Sequence, residues 1–330
     1  MTAPHQRSHT SQSVITGIAA ALIGYTSTFA VVLTGLQTVG ADRRHAATGL
    51  VALCFAIGVV SLTLSSRYRM PLTIAWSTPG AAVLVSAGQI TGGWSAAVGA
   101  FIIAALLVVL TGMWPLLGRL VAAIPAPIAQ AMLAGILLDL CLTPVSAVAE
   151  FPAQVVPILV VWLVTFALSP RWAIVAAFVT AMVVVAYDAI TGDVPVIHWL
   201  PEAGPTMPSV TWSAVVSIAV PLYIVTMAAQ NVPGVAIMSS YGYTVPWRPA
   251  LTATGVASAA AAPFGAHAVN LAAITAALPA SDESHPDPAQ RWRTSVTLGL
   301  SYLVLGITTS APSFRSATFD CLACSFPKEV

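Results

Sequence analysis

Long apolar runs follow one another along the chain, separated by short polar gaps or by gaps marked with Pro and Gly. About 20 residues of helix cross the roughly 30 Å hydrocarbon core of a bilayer. The runs are continuous, as at 101–110 and 155–168, whereas strands of an outer-membrane barrel would alternate apolar and polar residues. The pattern predicts an all-α polytopic membrane protein with helices near 14–38, 46–64, 94–113, 125–146, 153–169, 172–188, 212–230, 250–264 and 294–309.

Two further apolar segments, 72–90 and 262–279, are interrupted by Pro and Gly near their starts. Each is typical of an extended entry followed by a half-helix, although an ordinary kinked span is the alternative. A hydroxyl cap and a proline in the first turn favour a helix start in the first segment. The expected opening residues are Ser77, Thr78, Pro79 and Gly80 in the first segment and Gly265, Ala266 and His267 in the second.

The two interrupted segments occupy the third place in two halves of opposite orientation. The span at 14–38 runs outward and its counterpart at 212–230 runs inward. A helix that begins inside the membrane presents unpaired N–H groups and the positive end of its dipole, which a bound anion or carbonyl group can satisfy. Paired broken segments in inverted halves therefore indicate the binding site of a transporter.

The arginines are distributed unequally between the two sides of the membrane if each interrupted segment counts as one crossing and the N-terminus is cytoplasmic. Arg43 and Arg44 then fall outside, and the inner side carries Arg7, Arg67, Arg69, Arg119, Arg171, Arg248, Arg291 and Arg293. This distribution obeys the positive-inside rule. The first apolar run is too long for a signal peptide and is expected to remain as a span. We therefore expect a multi-pass protein of the bacterial inner membrane with a cytoplasmic N-terminus.

Composition excludes a soluble domain, because 58% of the residues are hydrophobic and 7% are charged, against about 25% charged in soluble domains. The net charge of +1 gives no indication of nucleic-acid binding. Cys321 and Cys324 have CxxC spacing without a second pair, and no metalloprotease, nucleophile-elbow or phosphate-loop motif occurs in the sequence. No catalytic residue, metal or cofactor is predicted. A membrane-embedded enzyme is the alternative class, and it would need clustered acids or metal ligands.

The stretches IAWSTPGAA, AAQNVPG and GAHAVNLAAITAAL resemble those of the bacterial benzoate/proton symporters of the BenE type, and the likeness covers residues 13–307. The resemblance implies a seven-plus-seven inverted-repeat transporter fold, similar to uracil/xanthine permeases and sulfate-type anion transporters, with a core and a gate domain. It also implies proton-coupled import of benzoate or a similar aromatic carboxylate by alternating access. Another organic or inorganic anion, or a nucleobase, is the alternative substrate, and homo-oligomerisation stays open.

The resemblance places the substrate between the third and tenth segments, flanked by the first and eighth. In uracil permeases the eighth and tenth segments each offer a carboxylate, and the matching positions here carry Gln230 and His267. Neutral groups suit an anionic substrate, which a fixed carboxylate would repel. The expected substrate-binding residues are Tyr25, Ser77, Thr78, Pro79, Gly80, Gln230, Asn231, Gly265, His267 and Asn270.

His267 is the one histidine that lies deep in an apolar segment of the sequence. An imidazole titrates near physiological pH, so His267 is the first candidate for proton coupling, with Asp139 the second. A neutral histidine that joins helices is the alternative for His267. The amides Gln230, Asn231 and Asn270 could likewise join helices. Tyr25 could close the site or pack.

The sequence divides into a cytoplasmic tail at 1–12, a first repeat at 13–190, an outer loop at 191–211, a second repeat at 212–309 and an irregular tail at 310–330. The apolar pattern stops near Thr309, after about eleven segments. Relative to the family, three more spans are expected. We therefore expect the second repeat to be incomplete, the chain to be truncated and its transport to be weak or absent.

Overall fold

A computed structural model describes residues 4–114, 148–149, 151–169, a scattered set between 172 and 187, and 204–309. The expected span at 125–146 and the tail at 310–330 lie outside the described residues, and the span at 172–188 lies partly outside them. The other expected spans are present as helices. Their ends differ by a few residues, except at the start of the first, where the helix begins at Pro4 rather than near 14, and at the end of the eighth.

The described elements run in the order helix, helix, strand, short helix, helix, and this order occurs twice. The first set is α1 (Pro4–Thr38), α2 (Arg43–Tyr68), β1 (Ile74–Trp76), α3 (Thr78–Ala87) and α4 (Gly93–Met113). Next comes α5 (Pro152–Leu168). The second set is α6 (Trp212–Ser240), α7 (Trp247–Ala261), β2 (Val269–Leu271), α8 (Ala277–Ala280) and α9 (Trp292–Thr309).

Four of the described helices are long and apolar enough to cross a membrane. They are Ser11–Thr38 within α1, Arg43–Tyr68, Gly93–Met113 and Trp212–Ser240. α3 and α5 are apolar but shorter. The apolar runs in the sequence set the lengths of these helices. The runs form helices because a helix satisfies its own backbone hydrogen bonds in a medium without water.

The eighth span is longer than expected, because α6 continues to Ser240 rather than ending at 230. Two π turns, Val215–Ala219 and Met227–Asn231, lie within it. Each is followed at once by a short α-helical stretch with a proline in its first turn, Pro221 and Pro233. A π turn locally changes the hydrogen-bond register, so a residue without an N–H can follow it without ending the helix. Gln230 and Asn231 therefore lie inside α6 and not at its end.

The first interrupted segment has the expected form. β1 leads through Ser77 into α3, which has Pro79 in its first turn. The second segment differs: the turn Ala262–Phe264 and Gly265 precede β2, and regular helix is confined to Ala277–Ala280. The expectation that Gly265, Ala266 and His267 open a half-helix was therefore wrong. Gly265 has φ +97° and ends a tight turn, which an opening helical residue does not do.

β1 and β2 pair as antiparallel strands, with Ile74 opposite Leu271, Ala75 opposite Asn270 and Trp76 opposite Val269. Strands at matching places of two halves run antiparallel when the halves are inverted in the membrane. The pairing supplies backbone hydrogen bonds to extended chain that would otherwise have no partner in a lipid environment. The two broken segments thus meet through this strand pair.

Glycines bring the two halves into close contact. α2 packs most extensively on α9 and α4 on α7. A Cβ at Gly58 would lie 2.9 Å from the carbonyl oxygen of Gly299, and one at Gly255 would lie 3.0 Å from that of Ala105. Small residues at such contacts let helix backbones approach, and the resulting packing substitutes for the hydrophobic effect inside a bilayer.

Candidate functional site

The candidate site lies where β1, α3 and β2 meet α6. Ser77 caps α3, and its Oγ accepts a hydrogen bond from the Gly80 amide at 3.1 Å. The same oxygen lies 2.7 Å from the Thr226 hydroxyl of α6. A Cβ at Gly80 would lie 2.5 Å from Leu222 Cδ1. Absence of a side chain at Gly80 therefore allows the beginning of α3 to lie against α6.

The start of α3 leaves one N–H group for a ligand. Pro79 has no N–H, the Gly80 amide is bound by Ser77 Oγ, and the Ala81 amide donates to the Ser77 carbonyl oxygen at 2.8 Å. The amide of Thr78 has no hydrogen-bond partner in the described parts of the chain. Thr78 is half-buried. The positive end of the α3 dipole is thus accessible through Thr78.

The amide side chains of α6 hold the second broken segment. Asn231 Oδ1 accepts from the Leu271 amide at 3.0 Å, and Asn231 Nδ2 donates to the Thr226 carbonyl oxygen at 3.5 Å and contacts Met227 Sδ at 3.3 Å. Both ends of Asn231 are therefore engaged within the protein. Gln230 Oε1 accepts from the Ala273 amide at 3.3 Å.

Gln230 differs from Asn231 in having a donor to spare. Its Nε2 group has no partner among the described residues. The residue is 9% exposed, so the donor group lies at the edge of the packed core. An amide N–H is a neutral donor that can bind a carboxylate without bringing a charge into the site. The two adjacent amide side chains thus differ in role: Asn231 supports β2, and Gln230 can contact a ligand.

His267 is fully buried beside the first broken segment. Its Nε2 lies 3.0 Å from the carbonyl oxygen of Ser77. A carbonyl can only accept, so Nε2 carries a proton and donates it. The other ring nitrogen, Nδ1, has no partner in the described structure. The ring of Phe101 packs edge-on against the imidazole at 6.4 Å between centroids.

Asn270 is buried and also has an oxygen without a partner. Its Nδ2 donates to the Leu271 carbonyl oxygen at 2.8 Å, and Oδ1 has no partner in the part of the chain that is described. Asn270 shares a face of the strand pair with Ala75, since the two residues lie opposite each other. Unpaired buried polar atoms cost free energy. Their presence at His267, just before β2, and at Asn270, within β2, is typical of a functional site.

Tyr25 lies in an aromatic cluster and not among the amides. It stacks on Phe29 at 5.5 Å, contacts Trp76 edge-on at 5.7 Å, and its hydroxyl lies 2.7 Å from that of Thr309. Trp76 in turn contacts Tyr302 of α9 at 5.8 Å. This environment corresponds to the packing alternative for Tyr25. Trp76 Nε1 donates to Thr28 Oγ1 at 2.8 Å, so α1 is bound to β1.

The two remaining expected residues, Gly265 and Asp139, are not part of the candidate site as the structure describes it. A Cβ at Gly265 would lie 3.0 Å from Trp94 and 3.1 Å from Gly49 Cα, so Gly265 packs against α2 and α4. Asp139 is outside the described residues. Among those that are described, no three His, Cys, Asp or Glu residues form a group that could hold a metal ion.

Thr226 was missed by the sequence analysis. Its hydroxyl group is buried against Ser77, and its carbonyl oxygen accepts from Asn231. One signal was available: Thr226 precedes Gln230 by four residues, which places both on one face of a helix. The pairing with Ser77 could not be deduced, because it depends on how α6 packs against α3.

The comparisons with known proteins agree with this architecture. A family model described as "Benzoate membrane transport protein" (BenE) matches residues 7–330. The match extends beyond the 13–307 recognised from motifs and includes the tail. The inner membrane protein YdcO of Escherichia coli is 40% identical over 305 residues, which are 91% of this chain and 76% of that protein. The benzoate membrane transport protein of Acinetobacter baylyi is 28% identical over 295 residues, 89% of this chain and 75% of that protein.

A solved structure resembles the fold. The transmembrane domain of a cyanobacterial bicarbonate transporter, BicA, superposes with a TM-score of 0.63 and 15% sequence identity, covering 95% of this chain and 88% of that domain. At this identity the likeness concerns the fold alone. It confirms an inverted-repeat transporter fold made mostly of helices.

Proposed function

This chain belongs to the BenE family of benzoate membrane transport proteins, and from that premise we propose that it imports benzoate or a similar aromatic carboxylate together with protons. Membership of the family and the transporter fold establish membrane transport of an anion as its class of activity. The aromatic substrate, the coupling to protons and the direction of transport are the proposed part.

The proposed carboxylate site consists of the start of α3 and the free amide of Gln230. The observation that carries the proposal is the unpartnered Thr78 N–H at the positive end of α3, next to the point where Ser77 joins α6. Gln230 Nε2 lies one helical turn beyond Thr226 and supplies a second neutral donor. The interiors of the described spans contain no Lys or Arg, so within them helix-terminal and amide donors are the groups available for an anion.

The proposed proton carrier is Nδ1 of His267. This nitrogen is buried and has no partner among the described residues, while Nε2 is fixed on the Ser77 carbonyl oxygen. Protonation at Nδ1 would place a positive charge next to the residue that caps α3. That charge would favour the binding of a carboxylate, and the bound carboxylate would favour the protonated imidazole. Such mutual stabilisation is what couples a proton to an anionic substrate.

Alternating access follows from the arrangement of the site. The substrate would bind between the paired broken segments of the core and the gate helices, so rocking of core against gate would expose it to each side in turn. We propose Thr78, Gln230, Asn270 and His267 as the residues that contact the substrate or proton. Ser77, Gly80 and Asn231 position them.

The test is uptake of labelled benzoate into proteoliposomes with and without an imposed pH gradient. Whatever the rate of uptake, any accumulation above the outside concentration should require an inward proton gradient, and a proton conductor should abolish it. Excess unlabelled bicarbonate and uracil distinguish the alternatives of an inorganic anion and a nucleobase. If bicarbonate or uracil suppressed uptake as strongly as unlabelled benzoate does, the result would contradict an aromatic carboxylate as the substrate.

A further inference from the structure

Arginine and aromatic side chains cluster where α2 ends and α9 begins, away from the candidate transport site. The guanidinium group of Arg69 lies 4.3 Å from the centre of the Trp292 ring, and that of Arg293 lies 5.8 Å from it. Arg67 lies over the Tyr68 ring at 5.6 Å. The three arginines are exposed and Trp292 is half-buried. We refer to Arg67, Arg69, Trp292 and Arg293 as the Arg–Trp cluster.

The backbone holds Arg69 in an unusual conformation. Arg69 follows the last turn of α2 with φ 53°, and it is the one residue other than glycine with positive φ in the described structure. Side chains rarely adopt this left-handed conformation, and Gly or Asn is usual there. The stacking of Arg69 on Trp292 offsets part of that cost. A guanidinium group over a ring still presents N–H donors at its edge, in a geometry that matches a phosphate group.

Among the described residues, no acidic side chain pairs with the exposed Arg67 or Arg69. In the neighbouring loop, Asp282 pairs with the buried Arg291, and Asp287 Oδ1 accepts from the Ala289 amide at 2.9 Å. Arg67 and Arg69 therefore carry positive charge that an anion from outside the protein can balance.

An exposed apolar surface continues from the cluster along both helices. On α2, Phe55 and Val59 are 41% and 51% exposed, and Arg67 follows Val59 by two turns on the same face. On α9, the exposed residues that follow Arg293 at helical spacing are Leu300, Val304 and Ile307. A Cβ at Gly306, the residue before Ile307, would lie 3.3 Å from the Phe55 ring, so the two faces adjoin there. A charged group thus lies at the end of a long apolar surface.

We propose that the Arg–Trp cluster binds the headgroup of an anionic phospholipid, with its phosphate on Arg67 and Arg69 and its acyl chains along the exposed faces of α2 and α9. Arg and Trp at the ends of spans are typical contacts of the headgroup region. α2 and α9 belong to different halves of the fold, so the lipid fastens the two halves at one membrane face. The expected topology makes this the cytoplasmic face.

The experiment is native mass spectrometry of the purified protein in mixed micelles of phosphatidylglycerol and phosphatidylcholine. Both lipids have a phosphate, but only the first has a net negative charge. The unaltered protein should retain phosphatidylglycerol in preference to phosphatidylcholine. Arg69→Asn should lower that preference about fivefold, the effect expected of one arginine at a lipid surface. Asn is chosen because it tolerates positive φ. Arg67→Gln is the second variant and needs no such conformation.

Arg248→Asn is the matched control, since Arg248 is an exposed arginine that follows Trp247 in the first turn of α7. It removes the same charge on the same predicted side and should leave the lipid preference unchanged. An equal loss in Arg248→Asn, or an unchanged preference in both cluster variants, would overturn the proposal. So would displacement of the lipid by inorganic phosphate at constant ionic strength, because the cluster would then be a site for free phosphate.

Discussion

The hydroxyl oxygens of Ser77 and Thr226 lie 2.7 Å apart and join the first broken segment to α6. α6 also holds the second broken segment, through Asn231 and the Leu271 amide at 3.0 Å. One helix thus fixes the relative position of both segments that form the site. Changes in α6 should therefore alter substrate binding even where the side chain does not touch the substrate.

Replacement of Thr226 by Val tests this link. Val has nearly the same volume, and Ser77 Oγ keeps its bond to the Gly80 amide, so the loss is confined to one hydrogen bond. We expect a loss of about 1 kcal/mol in the free energy of unfolding and a higher Kd for benzoate. Thr226→Ser keeps the hydroxyl and should behave like the unaltered protein. Normal stability and normal Kd in Thr226→Val would show that the pair has no positioning role.

Ser77 and Thr78 should respond differently to replacement by Ala. Ser77 Oγ is engaged within the protein, so Ser77→Ala removes both the helix cap and the bond to Thr226. It should cost about 1 to 2 kcal/mol of stability and raise the Kd for benzoate no more than Thr226→Val does. Thr78 is half-buried at the free end of α3. The Thr78 hydroxyl has no hydrogen-bond partner among the described residues. Thr78→Ala removes this second donor and keeps the main-chain N–H, so the Kd for benzoate should rise and the melting temperature should stay unchanged. Thermal unfolding and equilibrium binding of each variant measure the two effects. The reverse assignment, with affinity lost mainly in Ser77→Ala, would contradict the proposed arrangement.

A methyl group at Gly80 should disrupt the contact between α3 and α6. In Gly80→Ala the new Cβ would lie 2.5 Å from Leu222 Cδ1 and 2.6 Å from Ser77 Oγ. Overpacking of this kind costs about 1 to 3 kcal/mol. Thermal unfolding should show the loss, and uptake should fall with it. Gly204→Ala is the control, since nothing lies within 4 Å of its added Cβ. Equal stability of the two variants would mean that α3 can move away from α6 without cost.

Much of the fold was predictable because the signals are local. Ser77 and Pro79 mark the start of α3 by their own chemistry, and the structure places that start where they predict it. The expected end of the eighth span at 230 was wrong, since α6 continues through Pro233 and Gly234 to Ser240. The preceding π turn accommodates the proline, and a Cβ at Gly234 would lie 2.7 Å from the Ala272 carbonyl oxygen. That glycine serves packing, which depends on contacts distant in sequence.

The site was predictable in its residue types but not in its connections. Gln230 and Asn231 have the same side-chain chemistry. Asn231 supports β2 and Gln230 keeps a free donor, and this difference depends on which backbone N–H of the second broken segment each side chain reaches. Gly265 was assigned to a half-helix start because glycine often marks an interruption. The structure uses it for a turn against α2 and α4. Such roles depend on long-range packing that the sequence does not specify locally.

The predicted topology can be tested by labelling single cysteines in a background from which the native cysteines have been removed. Gly204 and Ser240 are both exposed, one in the segment before α6 and the other at its end. The distribution of arginines predicts that position 204 faces outward and 240 inward. A membrane-impermeant maleimide should label Gly204→Cys in intact cells and Ser240→Cys only after the membrane is opened. The opposite pattern would invert the orientation and move the Arg–Trp cluster to the outer face.

His267→Gln separates the structural role of the imidazole from its proposed role in proton coupling. The Gln amide can still donate a hydrogen bond to the Ser77 carbonyl oxygen, as Nε2 of His267 does at 3.0 Å. It has no counterpart of Nδ1 that binds a proton at physiological pH. The variant should therefore fold and bind benzoate with the Kd that the unaltered protein shows when His267 is neutral, without the tighter binding that protonation gives. It should exchange labelled for unlabelled benzoate across vesicles. Accumulation driven by a pH gradient should be lost. Accumulation at the normal level would rule out His267 as the proton carrier and leave Asp139 as the next candidate. Loss of both exchange and accumulation would instead indicate that the imidazole is needed for the site to fold.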